Sequence, residues 1–125
     1  MPTSCRIREA EGVVESVYAG VVSPDELERA VLAAIDLAKA SGMYRFYTDV
    51  TGLTGGHSAS NLFAIIGLLE RLDLPRTIRE AIVASRSSIS AADVQFYEDA
   101  CQNRGWNVRI FADPESALAW LASGT

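Results

Sequence analysis

The last third of the chain constrains its fold more than any other stretch, because it carries signals for a helix, a strand and a second helix in close succession. Gly105 is a typical residue to end a helix, and the apolar run over residues 108–111 predicts a short buried strand. Asp113 followed by Pro114 predicts the cap and the first residue of a final helix. This ending indicates an α/β domain.

The preceding segments continue the alternation of strands and helices. Caps, glycines and hydrophobic periodicity predict strands over residues 5–9 and 13–19 in a hairpin that Gly20 closes, followed by a helix from the capping box at Ser23 to Ser41. A central strand over 44–50 leaves Asp49 at its carboxyl end, and an apolar helix runs from Ser58 or Ser60 to Asp73. Residues 80–85 form a continuous apolar strand of the kind buried on both faces, and Ser90 starts the next helix. The element order β-β-α-β-α-β-α-β-α predicts a mixed α/β sheet covered by helices, with residues 1–125 forming one domain.

Composition narrows the classes of function. The net charge of −5 argues against nucleic acid as a partner, because such partners require clustered Lys and Arg. No apolar run approaches the ~20 residues of a membrane span, and the N-terminus lacks the pattern of a secretory signal, so we expect a cytoplasmic protein. Cys5 and Cys101 lack zinc-type spacing, and His57 is the only histidine; we therefore expect two buried thiols, no metal and no cofactor.

Three stretches together carry a resemblance to a known family. Residues 20–26 read Gly-Val-Val-Ser-Pro-Asp-Glu, residues 45–49 read Arg-Phe-Tyr-Thr-Asp, and residues 103–121 contain the ending described above. In this order they resemble the SpoIIAA-like branch of the STAS domain. The resemblance implies a SpoIIAA/STAS-like fold and a non-enzymatic regulatory or protein-interaction role, as in anti-sigma-factor antagonists. SpoIIAA-like sequences also resemble the lipid-binding Sec14 domain, which implies the alternative of a carrier for a small molecule or lipid.

Polar residues near the predicted carboxyl ends of the strands suggest a binding rim, because ligands of open α/β sheets meet the sheet at this edge. The candidates are Asp49, His57, Ser58, Ser60, Arg86 and Ser87. The N-terminus of the second helix and the Arg86 charge both favour phosphate or carboxylate. The alternative is that the serines only cap a helix.

The resemblance also suggests a phosphoacceptor. In anti-sigma-factor antagonists, a partner kinase phosphorylates a serine at the start of this helix, within the pattern Asp-Ser followed by a small residue and Gly. Residues 56–61 here read Gly-His-Ser-Ala-Ser-Asn, without the acid before the serine or the glycine after it. Ser58 and Ser60 are the two candidates.

The sequence does not predict an enzyme. Ser58, His57 and Asp49 could be written as a triad, but adjacent residues rarely orient as nucleophile and base, and a Gly-x-Ser-x-Gly elbow is absent. Asp49 also lacks the lysine that phosphoacceptor chemistry of response regulators requires, since Lys39 in the first helix is the only one.

The second helix is more apolar than one buried face requires. Over residues 60–73 it carries seven large apolar side chains, which predicts a homodimer through this helix or a small apolar ligand beneath it. Trp106 and Trp120 are expected to pack around the last strand and helix.

Overall fold

The computed structural model describes residues 3–85 and 91–123 and contains five strands and four helices in that part of the chain. The elements are β1 (Thr3–Arg8), β2 (Val13–Val21), α1 (Pro24–Ser41), β3 (Arg45–Gly55), α2 (Ala59–Arg71), β4 (Arg79–Val83), α3 (Ala91–Asn103), β5 (Asn107–Phe111) and α4 (Pro114–Ala122). The predicted order of elements is confirmed. The predicted cap of α3 at Ser90 lies outside the described residues.

The strands form one mixed sheet whose spatial order, β1-β2-β3-β4-β5, follows the chain. The β1 strand is antiparallel to β2, and every later pair is parallel. Parallel neighbours require a crossover, which α1, α2 and α3 supply in turn. Because the strand order never reverses, these three helices pack on one face of the sheet, and α4 packs on the other.

The two faces have separate cores. The core beneath α1, α2 and α3 is the larger, and its fully buried side chains include Val14, Val22, Ile66 and Cys101. The core beneath α4 consists of Val13, Tyr47, Ala81, Val83, Ala117 and Leu121. Strand β4 supplies buried residues to both, which confirms the prediction that it is buried on both faces.

Helix boundaries agree closely with the local signals. Ser23 and Glu26 form the predicted capping box of α1, and Gly42 ends this helix in the left-handed conformation. Asp113 caps α4, accepting a hydrogen bond from the Ser116 amide. These predictions succeed because a cap depends on groups within a few residues of one another.

Two predicted strand ends are wrong, because the parallel ladder between β2 and β3 extends further than the propensities of its residues indicate. The β2 strand passes through Gly20, the predicted closing residue, to Val21, which pairs with Gly55. The β3 strand likewise runs to Gly55, beyond the predicted end at residue 50. Asp49 therefore lies within β3, where it pairs with Val83, the last residue of β4.

Two arginines hold the C-terminus of α4 on the sheet. Arg79, only 6% exposed, donates to the Trp120 carbonyl and to the Ser123 hydroxyl, both at 2.8 Å. Arg45 donates to the Leu121 carbonyl. The last carbonyls of a helix lack regular partners within the helix, so the bond from Arg45 satisfies the Leu121 carbonyl. The Trp120 carbonyl already accepts from the Ser123 amide and hydroxyl, and Arg79 adds a charged donor to it.

The tryptophans lie at the two cores. Trp106 is 5% exposed in the core beneath α1, α2 and α3, and Trp120 is half-buried beside the core beneath α4, with its ring centroid 5.6 Å from that of Phe111. The prediction that both pack around the last strand and helix is confirmed for Trp120, whereas Trp106 lies on the opposite face of the sheet from α4. Among the helices described, none is both long and apolar enough to cross a membrane.

Candidate functional site

Among the described residues of the predicted rim, Asp49 lies on the opposite face of the sheet from His57. Alternation along β3 places Asp49 on the same face as Tyr47, towards α4, whereas Thr48 lies on the face that α1, α2 and α3 cover. The Asp49 carboxylate accepts from the Thr51 amide at 2.9 Å and from the Thr51 hydroxyl at 2.7 Å. The Asp49 carboxylate therefore makes these hydrogen bonds within its own strand, β3, on the opposite face of the sheet from His57.

Ser58 is the N-cap of α2. Its hydroxyl oxygen lies 3.4 Å from the Asn61 amide nitrogen, and its own amide donates to the Asn61 side-chain oxygen at 2.8 Å. Ser60 lies in the first turn of the helix, and both serine side chains are exposed. The capping alternative therefore describes Ser58, while both hydroxyls are accessible from solvent.

His57 is directed back towards the end of β2. Its Nδ1 lies 3.0 Å from the Val22 carbonyl oxygen, and because a carbonyl only accepts, Nδ1 carries the proton in this contact. Gly56 makes the approach possible, since its φ is +105° and a Cβ atom there would lie 2.4 Å from the same oxygen. The His57 side chain lines a cavity on the helix-covered face.

Two residues of the predicted rim remain, Arg86 and Ser87. Arg86 and Ser87 lie outside the described residues, so the anion-binding rim that includes them stays a prediction. Within residues 3–85 and 91–123, no three His, Cys, Asp or Glu side chains are grouped in a way that could hold a metal ion.

The polar group with the most unusual surroundings is Glu80, which the sequence predicts only as the first residue of a strand. One oxygen accepts from the Thr48 hydroxyl at 2.8 Å, and the other accepts from the Tyr97 hydroxyl at 3.0 Å. Burial raises the pKa of the Glu80 carboxyl, and the two hydrogen bonds offset this only in part. The sequence contains one indication of this position. Glu80 precedes the buried Ile82 by two residues, and this spacing puts both side chains on one face of a strand.

Two neighbouring cavities lie beneath the helices, with volumes of about 70 and 60 Å³. Five residues line both, namely Tyr18, Val31, Thr48, Glu80 and Tyr97. The walls of the first are otherwise mostly aliphatic, with Leu27, Val50, Leu53, Leu62, Ile65, Ile82 and Val94 beside His57 and Asp93. Glu80 therefore lies in the wall that the two largely apolar cavities share.

No cationic side chain of the described segments pairs with Glu80. The ion pairs found there lie elsewhere, three of them joining Arg6 or Arg8 to acids of the β1–β2 hairpin and one joining Arg104 to Glu70. Glu80 is half-buried, and holding a carboxylate away from water without a cation beside it is costly, which is the physical reason for the raised pKa.

The second cavity has an unpartnered donor in its wall. Trp106 lines it, and the indole N–H of Trp106 is buried without an acceptor among the described residues. Buried donors are nearly always hydrogen-bonded, so this group is available to an occupant.

Comparisons with known proteins show a fold and no activity. No protein-family model matches the chain, and neither does any curated protein. Among solved structures, it is similar to an uncharacterised protein of the DUF3478 family from Shewanella loihica PV-4, which has a SpoIIAA-like fold. The TM-score is 0.59 at 20% sequence identity, and the match covers 95% of this chain and 93% of the other.

Proposed function

We propose that this SpoIIAA-like fold acts as a binding module that holds a small, largely apolar molecule beneath α1, α2 and α3, without catalysing a reaction on it. The observation that carries the proposal is the pair of adjacent cavities with mainly aliphatic walls. Apolar spaces of this kind bind apolar molecules because ligand and wall both gain contacts that water does not supply.

The size of the cavities limits the ligand. An engineered apolar cavity of about 150 Å³ in another protein binds benzene, whereas each cavity here, at about 70 and 60 Å³, is only about half that size. A single ring or a short branched chain therefore fits when the two neighbouring spaces join into one. A longer lipid tail would require the covering helices to move apart.

Chemistry at the site is better suited to binding than to catalysis. Thr48, Glu80 and Tyr97 use their polar atoms on one another. Burial raises the pKa of the nearby Cys101 thiol to about 12, so this group is protonated at neutral pH and is a poor nucleophile.

The test is a titration with toluene, followed by NMR of the backbone amides. We expect shifts at residues that line the first cavity, such as Leu53, Ile65 and Val94, and none on α4. Val31→Phe should block binding because Val31 lines both cavities. Ala33→Phe adds the same ring to the same helix at an exposed position and is the matched control. Unmoved cavity amides at saturating toluene would refute the proposal.

A second candidate is a regulatory interaction module, with a kinase and an anti-sigma-like protein as the partner classes. The observation that favours it is the accessible first part of α2, where Ser60 lies three and four residues before the exposed Phe63 and Ala64 and so shares a helix face with them. A phosphate at Ser58 or Ser60 would add negative charge where the helix dipole favours it.

This candidate predicts a modified serine. Mass spectrometry of the protein purified from its own host should find phosphate on the peptide that contains Ser58 and Ser60. Uniformly unmodified protein, under growth conditions that vary nutrient and stress, would count against the candidate while leaving the cavity proposal intact.

A further inference from the structure

We infer that the ligand carries a protonated amine on its apolar body, with the Glu80 carboxylate as the counter-ion. The inference rests on the proposed binding function, and it assigns a role to the acidic group that the two cavities share. The expected ligand is a small amine whose apolar body is about the size of one ring.

The charge balance of the site favours a cation. Glu80 is held between two hydroxyl groups, and in the described part of the chain it has no cationic partner. An ionised carboxylate in such surroundings is unfavourable, and a cation entering beside it removes much of that cost. A neutral ligand gains only apolar contacts, and an anionic ligand would be repelled.

The geometry lets one molecule make both kinds of contact. Because Glu80 lies in the wall shared by the two cavities, an amine beside it leaves the rest of the ligand against aliphatic side chains in either space. The rings of Tyr18 and Tyr97 also line both cavities, and aromatic rings attract cations. The free indole N–H of Trp106 can donate to an oxygen on a larger amine.

Binding of an amine should release a proton when Glu80 is protonated beforehand. The affinity for an amine should then rise with pH until Glu80 is ionised in the free protein. The other titratable groups that line the cavities are Tyr18, His57, Asp93, Tyr97 and Cys101. Burial raises the pKa values of both tyrosines and of the thiol, so these three groups stay neutral over the pH range in which Glu80 becomes ionised.

The experiment compares benzylamine, benzyl alcohol and benzoate, which share one ring and differ in charge. The readout is the fluorescence of Trp106 in a Trp120→Phe background, because Trp106 lines the second cavity and Trp120 lies on the opposite face. We expect benzylamine to bind at least about tenfold more tightly than benzyl alcohol, as a hydrogen bond to a charged group implies. Benzoate should bind most weakly.

Glu80→Gln should abolish the preference for benzylamine and its pH dependence. His57→Asn and Asp93→Asn test the two other titratable side chains of the first cavity as competing sources of the preference. Glu28→Gln, at an exposed position on α1, is the matched control and should leave the preference unchanged. If the Glu80→Gln variant does not fold, the pH series on the protein with Glu80 intact still decides the question.

The failures can be told apart. If benzyl alcohol binds as tightly as benzylamine, or if the preference disappears in the His57 or Asp93 variant and not in the Glu80 variant, the inference is overturned and the binding proposal stands. If none of these molecules binds, and toluene does not bind either, both are overturned.

Discussion

Replacing Glu80 by Gln should change how the stability of the ligand-free protein depends on pH. The pKa of Glu80 is raised in the folded state by burial. In the unfolded chain a glutamate titrates near its ordinary pKa of ~4.3. Between these two values the folded protein holds a proton that the unfolded chain has already lost, so the free energy of unfolding must fall as the pH rises.

The magnitude follows from the difference of one bound proton. Within that window the contribution of Glu80 to the free energy of unfolding decreases by at most about 1.4 kcal/mol per pH unit. The contribution of Glu80 to stability is largest at pH values below its pKa in the unfolded chain. Above its pKa in the folded protein, the contribution stops changing with pH. The amide introduced by Glu80→Gln would keep both contacts, its oxygen accepting from one hydroxyl and its NH2 donating to the other, at Thr48 and Tyr97.

The assay is urea denaturation of both proteins from about pH 4 to about pH 8. The stability of Glu80→Gln relative to the wild type should increase with pH through the window and then level off. Glu28→Gln, at an exposed position on α1, is the control and should show no such difference. Parallel stability curves for wild type and Glu80→Gln would refute the reasoning, because they would mean that burial does not perturb this carboxyl.

Three further predictions concern the scaffold. Gly105→Ala should lower the free energy of unfolding by about 1–2 kcal/mol, because φ is +82° there and no atom lies within 4 Å of the added Cβ. Gly56→Ala should lower it more, because its Cβ would also lie 2.4 Å from the Val22 oxygen. Equal losses in chemical denaturation would contradict this close approach. Leu121→Ala should cost about 2–5 kcal/mol, since Leu121 is 2% exposed, and a change below ~0.5 kcal/mol in the same assay would refute its place in the core. Phe63→Ser should weaken any dimer formed through α2, because Phe63 is 53% exposed on that helix; sedimentation that finds the unmodified chain strictly monomeric at high concentration would count against such a dimer.

The apolar character of α2 shows how far a sequence pattern leads. Seven large apolar residues predicted a surface that a partner or a ligand must cover. In the structure three of the seven are buried, three are partly buried and one, Phe63, is exposed. The helical period identifies an excess of apolar residues, but the packing of α2 against the sheet and α3 decides which of them remain exposed.

The sequence by itself determined which segments form helices and strands, because the signals for each element lie within a few residues of one another. The capping box at Ser23, the cap at Asp113 and the burial of β4 each follow from residues close together in the chain, and the element order follows from them.

Pairing between distant residues decided the site. The ladder from β2 extended β3 beyond Asp49, and strand alternation placed that carboxylate on the opposite face from His57. Glu80 became the central polar group only when β3 and α3 brought Thr48 and Tyr97 to it, from 32 and 17 residues away in the chain. The half-buried position of Glu80 and the space beside it are properties of packed elements, since burial and hydrogen-bond partners arise only when remote segments meet.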